Sequence, residues 1–428
     1  MGLMRKFKTA GMVLRQYGPR EAFGLVCDNA AKLRFYAARR FSALYRKTLG
    51  RLFLRANPRR AGKNDGKPHI LYVTTAFEAF ESQTVRYRVH NFRQALRGQA
   101  KTRFELIGHG TRPDDAILAW ADLVVLMRTT WMPEVGTLLE VAKTLGVPVA
   151  FDIDDIIFLP EYAPDYCRVL GDSSKENLAK RRGEFEGFEK TFLRCGYATA
   201  STAFIAERMQ QAGKCAYVIH NGLNKKQLNV AHGAKRQPNG ERAIGYLSGT
   251  KTHDRDFAQV LPALEKIFAE YPDVVLRVAG YLDLSVLPPD LAARTRPACY
   301  MNWARLMKYG AQNYLNIAPL DIDNPFCHAK SELKYFEAAA VRVPTVASAT
   351  DTFSRCIRNG KNGFVAATPE EWYASIKALL EDDALYRQVN EAAYAHALKS
   401  YAPQATAKEA LAAYRAIIAD FVAGGSPA

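Results

Sequence analysis

The sequence predicts a two-domain α/β protein in which buried strands alternate with amphipathic helices. Short apolar runs that end in small or polar residues alternate along the chain with segments whose apolar residues recur at helical spacing. The chain has 428 residues, 48% of them hydrophobic, which is enough for two cores of common domain size. A polar segment over residues 223–241, with Gly233, Pro238 and Gly240, is typical of a linker between the two.

The apolar runs give the strands of each predicted domain. The first domain is expected over residues 68–222, with strands at 68–74, 121–126, 148–153, 197–201 and 217–220. The second is expected over residues 242–400, with strands at 243–247, 314–319 and 343–348. Residues 401–428 follow as a C-terminal helix, because Leu411, Tyr414, Ile417 and Phe421 recur at helical spacing.

The first 67 residues form a separate basic arm, in which aromatic and aliphatic residues interleave with Lys and Arg. The arm has seventeen Lys or Arg and three acidic residues, so it carries most of the net charge of +16. This pattern is typical of interfacial helices on an anionic membrane surface. The alternative is helices packed on the protein's own body or on a partner subunit. Nucleic acid is a poorer partner, because the rest of the chain is nearly neutral and has no nucleic-acid-binding motif.

Other features limit the location and the chemistry. No apolar run in the arm reaches the 18 or so residues needed to span a bilayer, and its start lacks a signal-peptide core. The seven cysteines are scattered and include no CxxC pair, so we expect a reducing cytoplasm, without a disulfide framework or a zinc site. No histidine pairs with another at metal-ligand spacing, and no metal site is predicted.

The segment 330–348, KSELKYFEAAAVRVPTVAS, has the pattern of half a nucleotide-binding site. Ser331 is a candidate N-cap, and a helix start beside the ammonium of Lys330 attracts a phosphate. Glu337, further along the same helix, has a carboxylate that can accept hydrogen bonds from ribose hydroxyls. The alternative is an ordinary helix packed on a sheet, with Glu337 in solvent.

A second segment supports the nucleotide hypothesis. The strand 243–247 leads into a loop of small and donor residues and then into helical spacing over residues 255–268. Strand, small-residue loop and helix is an arrangement in which α/β folds cradle phosphates, although neither the Walker nor the GxGxxG pattern is present. The candidate donor-binding residues of this loop are Ser248, Gly249, Thr250, Lys251 and His253.

These segments, in their order along the chain, resemble the retaining glycosyltransferases of family 4, the group 1 enzymes. The resemblance runs from about residue 68 to the last helices, and its specificity lies in the order of the pieces. The matching pieces are Ser82 with residues 85–88, then 147–155, 218–222, 248–256, Gly280, 329–348 and 362–364. Ala329 stands where the family usually has the first of two glutamates, as in a subset of bacterial surface-polysaccharide enzymes that read KSxLKxxEA.

The resemblance implies a GT-B fold, in which two Rossmann-like domains face a cleft and the last helix crosses back onto the first domain. It implies a nucleotide diphosphate sugar as co-substrate, bound mainly by the second domain, and no required metal or cofactor. The diphosphate would lie on Lys330, Ser331 and the loop 248–251, and the ribose on Glu337. Transfer with retention of configuration is the reaction of the family.

The candidate catalytic residues are Asp154 and Asp155, in the run FDIDD that ends the strand 148–153. By the resemblance, Asp154 matches a histidine that contacts the sugar in related enzymes. A carboxylate there can accept a sugar hydroxyl, stabilise positive charge or take the acceptor's proton. The alternatives are capping of the next segment or pairing with Arg128 or Arg86. A metal-binding DxD pair and an aspartyl-phosphate site are disfavoured, because this strand lies in the middle of its domain.

The segment that follows the first predicted strand contributes three candidate cleft residues by analogy with family 4, namely Ser82, Arg86 and Arg88. Two arginines at this spacing diverge on a helix, so at most one reaches a phosphate. The resulting hypothesis is sugar transfer to a glycan or lipid-linked acceptor, by an enzyme peripherally associated with the cytoplasmic face of the inner membrane. Lipopolysaccharide, O-antigen or capsule synthesis is the expected setting. The alternatives are a non-catalytic docking module of such an assembly and a sugar-nucleotide epimerase.

Overall fold

The computed structural model describes residues 66–75, 83–234, 241–248 and 254–424. The predicted basic arm therefore lies almost entirely outside the described residues, as do Ser82, Gly249, Thr250, Lys251 and His253.

Two six-stranded parallel sheets organise the chain, and each is built from consecutive strand–helix units. The first sheet has the order β2-β1-β3-β4-β5-β6. Its strands are β1 His69–Thr75, β2 Lys101–Ile107, β3 Leu123–Met127, β4 Val149–Ile153, β5 Tyr197–Ala200 and β6 Cys215–Val218. The central strands β3 and β4 are buried along their whole length, as expected for a parallel sheet covered on both faces.

The second sheet has the order β12-β11-β10-β7-β8-β9, again with all strands parallel. Its strands are β7 Arg242–Leu247, β8 Val274–Ala279, β9 Thr295–Ala298, β10 Leu315–Ala318, β11 Thr345–Ser348 and β12 Phe364–Ala366. In both sheets the strand order reverses beside the first strand, which is the arrangement of doubly wound folds. The predicted fold class, two Rossmann-like units, is confirmed.

Helices connect the strands and cover both faces of the sheets. A π-helix, Arg86–Asn91, runs directly into the α-helix α1 Phe92–Ala95. The next helices are α2 Asp115–Trp120, α3 Pro133–Thr144, α4 Ala163–Val169, α5 Lys175–Phe192, α6 Ala203–Gln211, α7 Lys225–His232, α8 Asp254–Ala258, α9 Leu261–Glu270 and α10 Pro289–Ala293. The remaining α-helices are α11 Trp303–Gly310, α12 Pro325–His328, α13 Leu333–Ala340, α14 Asp351–Cys356, α15 Pro369–Glu381, α16 Asp383–Tyr401 and α17 Pro403–Val422. Short 3₁₀ turns lie at Pro160–Tyr162 and Leu284–Val286.

The last helix, α17, packs on the first sheet although it follows the second in sequence. Its buried residues, which include Leu411, Tyr414 and Ile417, share one apolar cluster with β1 and β3. The hydroxyls of Tyr414 and Tyr72 lie 3.0 Å apart inside this cluster. The two sheets are therefore tied together by a returning helix as well as by the segment between β6 and β7.

Some local predictions differ from the structure. Within the predicted linker, residues 225–232 form α7, where Asn224 caps the helix and Gln227 completes a capping box. The helical spacing over residues 255–268 is divided between α8 and α9. Among the described residues, no helix is long and apolar enough to cross a membrane.

Candidate active site at the cleft

The carboxyl ends of the two sheets meet, because polar side chains from both form contacts across the cleft between them. Lys330, which precedes α13, places its Nζ 3.1 Å from Oδ2 of Asp155, which follows β4. Asn221, which lies beyond the end of β6, donates from Nδ2 to the Oγ of Ser331 at 3.1 Å. The edge at which α/β folds keep their ligands therefore holds candidate residues from both halves.

Lys330 is a partly buried cation held between an aromatic ring and a carboxylate. Its Nζ lies 4.5 Å from the centroid of the Phe326 ring, in addition to its ion pair with Asp155. Burial lowers the pKa of Lys330, but the charge and hydrogen bond of Asp155, together with the neighbouring Cys327 and Tyr166, raise it by more, so the net shift is upward. The side chain stays protonated, and 28% of it is exposed.

Ser331 does not cap a helix, which corrects the sequence prediction. The helix α13 begins at Leu333, its N-cap position is Glu332, and no side chain caps it. Glu332 is 2% exposed, and burial raises its pKa. Ser331 is instead available for a hydrogen bond across the cleft to Asn221. Its expected role next to a phosphate therefore rests on its hydroxyl and on its place beside Lys330.

Glu337 lies one turn into α13 and is not solvated as the alternative interpretation expected. Its Oε1 accepts a hydrogen bond from the hydroxyl of Tyr87, a residue of the π-helix after β1. Burial raises the pKa of Glu337, while the charge of Arg86 and the bond from Tyr87 oppose that rise. Arg86 lies on the first half of the chain, so the environment of Glu337 is built from both halves.

A second lysine, Lys334, lies on α13 one turn after Lys330. Its ammonium is 5.1 Å from the centroid of the Tyr246 ring, and no hydrogen-bond partner among the described residues reaches it. Burial lowers its pKa, and the charge of Asp256 partly opposes that shift. A buried ammonium without a hydrogen bond is costly, so an anion beside it would be strongly favoured.

The carboxylates after β4 occupy different environments. Asp154 faces Arg128, with Oδ1 3.5 Å from Nη1, and burial raises its pKa against the opposing charge of Arg128. Asp155 accepts from the backbone N–H of Ile156 through Oδ1 at 3.1 Å and binds Lys330 through Oδ2. Pairing and capping, the alternatives to a chemical role, are therefore both present, and Asp155 also contacts Lys330 across the cleft.

Arg86 and Arg88 diverge as predicted, but Arg88 is neither at the cleft nor on the surface. Its side chain is completely buried and pairs with Asp152, through Nη2–Oδ2 at 2.5 Å and Nε–Oδ1 at 3.0 Å. Asp152 also accepts from the hydroxyl of Thr199 at 2.7 Å. Arg88 thus acts as a strut, because it links the π-helix to β4 and to the segment that follows β6. Arg86 lies over the Trp303 ring, 5.5 Å from its centroid, and its charge acts on Glu337.

The described end of the phosphate-loop candidate is held by a close backbone approach. Ser248 donates from Oγ to the backbone oxygen of Tyr281 at 2.5 Å. Gly280 has φ +101°, and a Cβ added there would lie 2.0 Å from the Ser248 oxygen. Only glycine fits this position without displacing the start of the loop. The side chain of Ser248 is therefore engaged with the backbone of Tyr281.

Sequence patterns did not reveal Tyr87, Asn221, Gln227 and Lys334 as site residues. Tyr87, Asn221 and Lys334 lie inside the segments that carry the resemblance, so their positions along the chain could have indicated them. Gln227 lies outside those segments and meets Tyr87, 140 residues away, only through the fold. Within the described ranges, no group of three or more His, Cys, Asp or Glu could hold a metal ion.

Comparison with known proteins agrees with this architecture. Residues 262–412 match the model of a family described as glycosyl transferase-like. No curated protein sequence matches the chain significantly.

Several solved structures share the fold over most of the chain. HepE of Anabaena, solved with UDP and glucose, has 13% identity and a TM-score of 0.56, over 82% of this chain and 100% of its own. A glycosyltransferase from Rickettsia africae has 13% identity and a TM-score of 0.55, over 82% and 99%. Sucrose-phosphate synthase from Thermosynechococcus elongatus has 12% identity and a TM-score of 0.56, over 82% and 100%. The two facing Rossmann-like units of this chain are accordingly those of the GT-B fold.

Proposed function

We propose that the protein is a glycosyltransferase that moves a sugar from a nucleotide diphosphate sugar to a glycan or lipid-linked acceptor. The observation that carries the proposal is the meeting of Lys330, Ser331 and Glu337 with polar groups of the first half at one cleft. The glycosyl transferase-like family match over residues 262–412 and the complex of HepE with UDP and glucose support a nucleotide sugar as the donor.

In this proposal, cations and backbone donors of the second half hold the diphosphate. Lys330 supplies an accessible ammonium, and Lys334 supplies a second one that lacks a hydrogen-bond partner among the described residues. The loop from Ser248 to His253 would add backbone N–H groups and Lys251. As the bond to the sugar breaks, negative charge grows on the leaving diphosphate, and fixed cations stabilise it without an obligatory metal.

The acceptor would enter from the first half. Asp154 has a pKa raised by burial and precedes Asp155, which contacts Lys330 of the second half; this setting suits a carboxylate that accepts a proton or a sugar hydroxyl. Asp155 would release Lys330 when the diphosphate arrives and then face the sugar. We propose retention of configuration, on the strength of the resemblance to family 4.

The proposed setting is bacterial surface-polysaccharide synthesis at the cytoplasmic face of the inner membrane. The basic aromatic arm of residues 1–67 supports it, because Lys and Arg beside aromatic residues favour anionic headgroups. Flotation with liposomes of phosphatidylglycerol and phosphatidylethanolamine tests this part: the full chain should float, and the chain lacking residues 1–67 should not. Equal flotation of both would refute a membrane role of the arm.

The donor site is tested by thermal shift with UDP, GDP, ADP, CDP and dTDP and their sugar conjugates. A ligand that binds only the folded state raises the unfolding temperature. We expect one nucleotide class to do so, and the shift to be lost in Lys330→Ala and Glu337→Ala. Lys377→Ala is the matched control, because Lys377 pairs with Glu270 at 2.9 Å on the opposite, exposed side of the second half.

The same panel, followed by product analysis, separates the alternatives. Sugar transfer that requires an added acceptor supports the glycosyltransferase, whereas interconversion of the donor without acceptor would indicate an epimerase. Absence of a shift with every nucleotide would point to a docking module that keeps the fold without the reaction.

A further inference from the structure

The carboxylate of Glu337 is contacted by a buried chain of hydrogen bonds that begins in the first half of the molecule. Tyr87, which is 3% exposed, donates a hydrogen bond from its hydroxyl to Glu337. Nε2 of Gln227, which is fully buried, lies 3.1 Å from the same hydroxyl oxygen. Tyr87 belongs to the π-helix after β1, and Gln227 belongs to α7. Neither residue belongs to the segments that carry the proposed donor site.

The direction of each hydrogen bond in this chain follows from its partners. Gln227 Oε1 accepts from the backbone N–H of Asn224 at 3.0 Å, and a backbone N–H can only donate. It also accepts from Asn91 Nδ2 at 3.0 Å. The amide nitrogen of Gln227 must therefore face Tyr87, so the phenol oxygen accepts from Nε2 and the single phenol proton goes to Glu337 Oε1.

The consequence for Glu337 is a carboxylate with one oxygen fixed and the other available. Oε1 is held by Tyr87, and no donor among the described residues hydrogen-bonds to Oε2. Because a phenol donates best to a charged acceptor, the bond also favours the ionised form and opposes the rise in pKa that burial causes. A carboxylate that is oriented, with one oxygen available, suits a pair of ribose hydroxyls.

We propose that Tyr87, hydrogen-bonded in turn by Gln227, is a positioning residue that orients Glu337 for recognition of the donor's ribose. This inference rests on the proposed function, since Glu337 is the ribose ligand there. Tyr87 and Glu337 come from opposite halves of the molecule. Ribose recognition by the second half is therefore complete only while the first half is in place, and donor affinity depends on closure of the cleft.

The test measures the dissociation constant of Tyr87→Phe for two ligands by calorimetry. The ligands are the ribonucleoside diphosphate, among UDP, GDP, ADP and CDP, that binds the unaltered protein most tightly, and its 2′,3′-dideoxy counterpart. We expect Tyr87→Phe to weaken the ribonucleotide about tenfold, the effect of losing one hydrogen bond to a charged group, and to leave the dideoxynucleotide within about twofold.

A matched control removes a different buried phenol hydroxyl from the first half. Tyr72→Phe breaks the 3.0 Å contact with Tyr414 inside the apolar cluster beneath α17 and should change neither dissociation constant. If Tyr87→Phe weakens both ligands equally, or neither, the positioning role is refuted.

A pH series adds a readout that a purely structural role would not change. The pKa of Glu337 should rise further when Tyr87 no longer donates, so the ribose-dependent part of the affinity should be lost at a higher pH in Tyr87→Phe than in the unaltered protein. Coincident profiles would contradict the inference.

Failure of the proposed function gives a different result. Glu337→Gln should erase the preference for the ribonucleotide over its dideoxy counterpart. If Glu337→Gln keeps that preference, or if no nucleotide binds, the ribose assignment itself falls. If Glu337→Gln erases it and Tyr87→Phe does not alter it, only the positioning role is wrong.

Discussion

Lys330 and Asp155, 175 residues apart in the sequence, lie 3.1 Å from each other across the cleft. The pair joins the segment before α13 to the end of β4. The ammonium that we propose to bind the diphosphate is therefore paired with a carboxylate of the other half. A carboxylate oxygen presents the same kind of charge to a lysine as a phosphate oxygen does. Asp155 is therefore a competitor of the donor as well as a residue of the proposed catalytic centre.

Asp155→Asn should bind the nucleotide diphosphate more tightly and transfer sugar more slowly. Both side chains are partly exposed, so the competing pair is weak and the gain in affinity should be about two- to fivefold. Calorimetry gives the affinity and a radiolabelled donor gives the turnover. Asp273→Asn is the matched control, because Asp273 pairs with Arg242 at the amino ends of β7 and β8, the sheet edge opposite the one that precedes Lys330. Unchanged or weaker nucleotide binding in Asp155→Asn would contradict the competition.

The strands that the sequence predicted are those with continuous apolar runs. β4, Val149–Ile153, is one, because both faces of a central parallel strand are buried and no alternation interrupts the run. Three edge strands, β2, β9 and β12, were not predicted, whereas the edge strand β6 was predicted over residues 217–220. The internal strand β8, Val274–Ala279, was also missed, although it is buried along its length. β2, Lys101–Ile107, mixes charged and apolar residues and is only partly buried, and β9, Thr295–Ala298, contains Pro297. Edge positions tolerate these residues, so the local pattern carries little strand signal.

The candidate site was predictable to the extent that its residues lie in local patterns. Lys330 and Glu337 belong to one helix and its approach, where spacing along the chain implies proximity. The pairings across the cleft were not predictable, because they join segments separated by 110 residues or more, as for Asn221 with Ser331. The burial of Arg88 was missed for the same reason. Nothing near it in sequence shows that Asp152 is its partner.

Lys334→Met should stabilise the fold while weakening nucleotide binding. The variant replaces a buried ammonium that has no hydrogen-bond partner among the described residues with an apolar side chain of similar length. We expect the free energy of unfolding in urea to rise by about 1–3 kcal/mol. Lys308→Met, at an exposed position on α11, is the control and should change it by less than about 0.5 kcal/mol.

The stability gain in Lys334→Met should shrink at high pH. Burial lowers the pKa of Lys334 in the folded state below its ordinary value near 10.5. Between the lowered pKa and that value the unfolded chain binds more protons than the folded one, so the stability of the unaltered protein rises with pH. A gain that is constant from neutral pH to pH 10 or so would show that the ammonium is not destabilised by burial.

The pair of His220 and Glu409 stabilises the molecule at mildly acidic pH, and this stabilisation is lost at mildly alkaline pH. Burial lowers the pKa of His220, but the hydrogen bond from Nδ1 to Glu409 at 2.8 Å and the charge of Glu332 outweigh that effect and raise it. Because the folded pKa lies above the unfolded one, the stabilisation is complete below about pH 6.5 and is lost as pH rises through the folded pKa.

The loss of stability between pH 6 and pH 8 should therefore be smaller in Glu409→Gln than in the unaltered protein. Unfolding in urea at the two pH values measures it. Glu391→Gln is the control, because Glu391 pairs with Arg342, which does not titrate in this range. The same pH dependence in the unaltered protein and in Glu409→Gln would rule out this pair as its source.

Arg88→Met should destabilise the protein severely even though Arg88 does not face the cleft. The change removes the partner of Asp152 and leaves a carboxylate that is 1% exposed with only the hydroxyl of Thr199 among the hydrogen bonds described for its side chain. Breaking a buried ion pair on one side costs about 3–5 kcal/mol, and the free energy of unfolding in urea should fall by that amount. Arg355→Met breaks an exposed pair with Glu207 and should cost less than about 1 kcal/mol.

A second variant separates the cost of the unpaired charge from the loss of the strut. Arg88→Met combined with Asp152→Asn removes both charges, and it should recover a large part of the stability because a neutral amide is far cheaper to bury than a carboxylate. Equal stability of the single and double variants would mean that Arg88 acts through its contacts with Ile219 and Asn221 instead of through Asp152. In that case nucleotide binding should still fall in the double variant, because Asn221 meets Ser331 across the cleft.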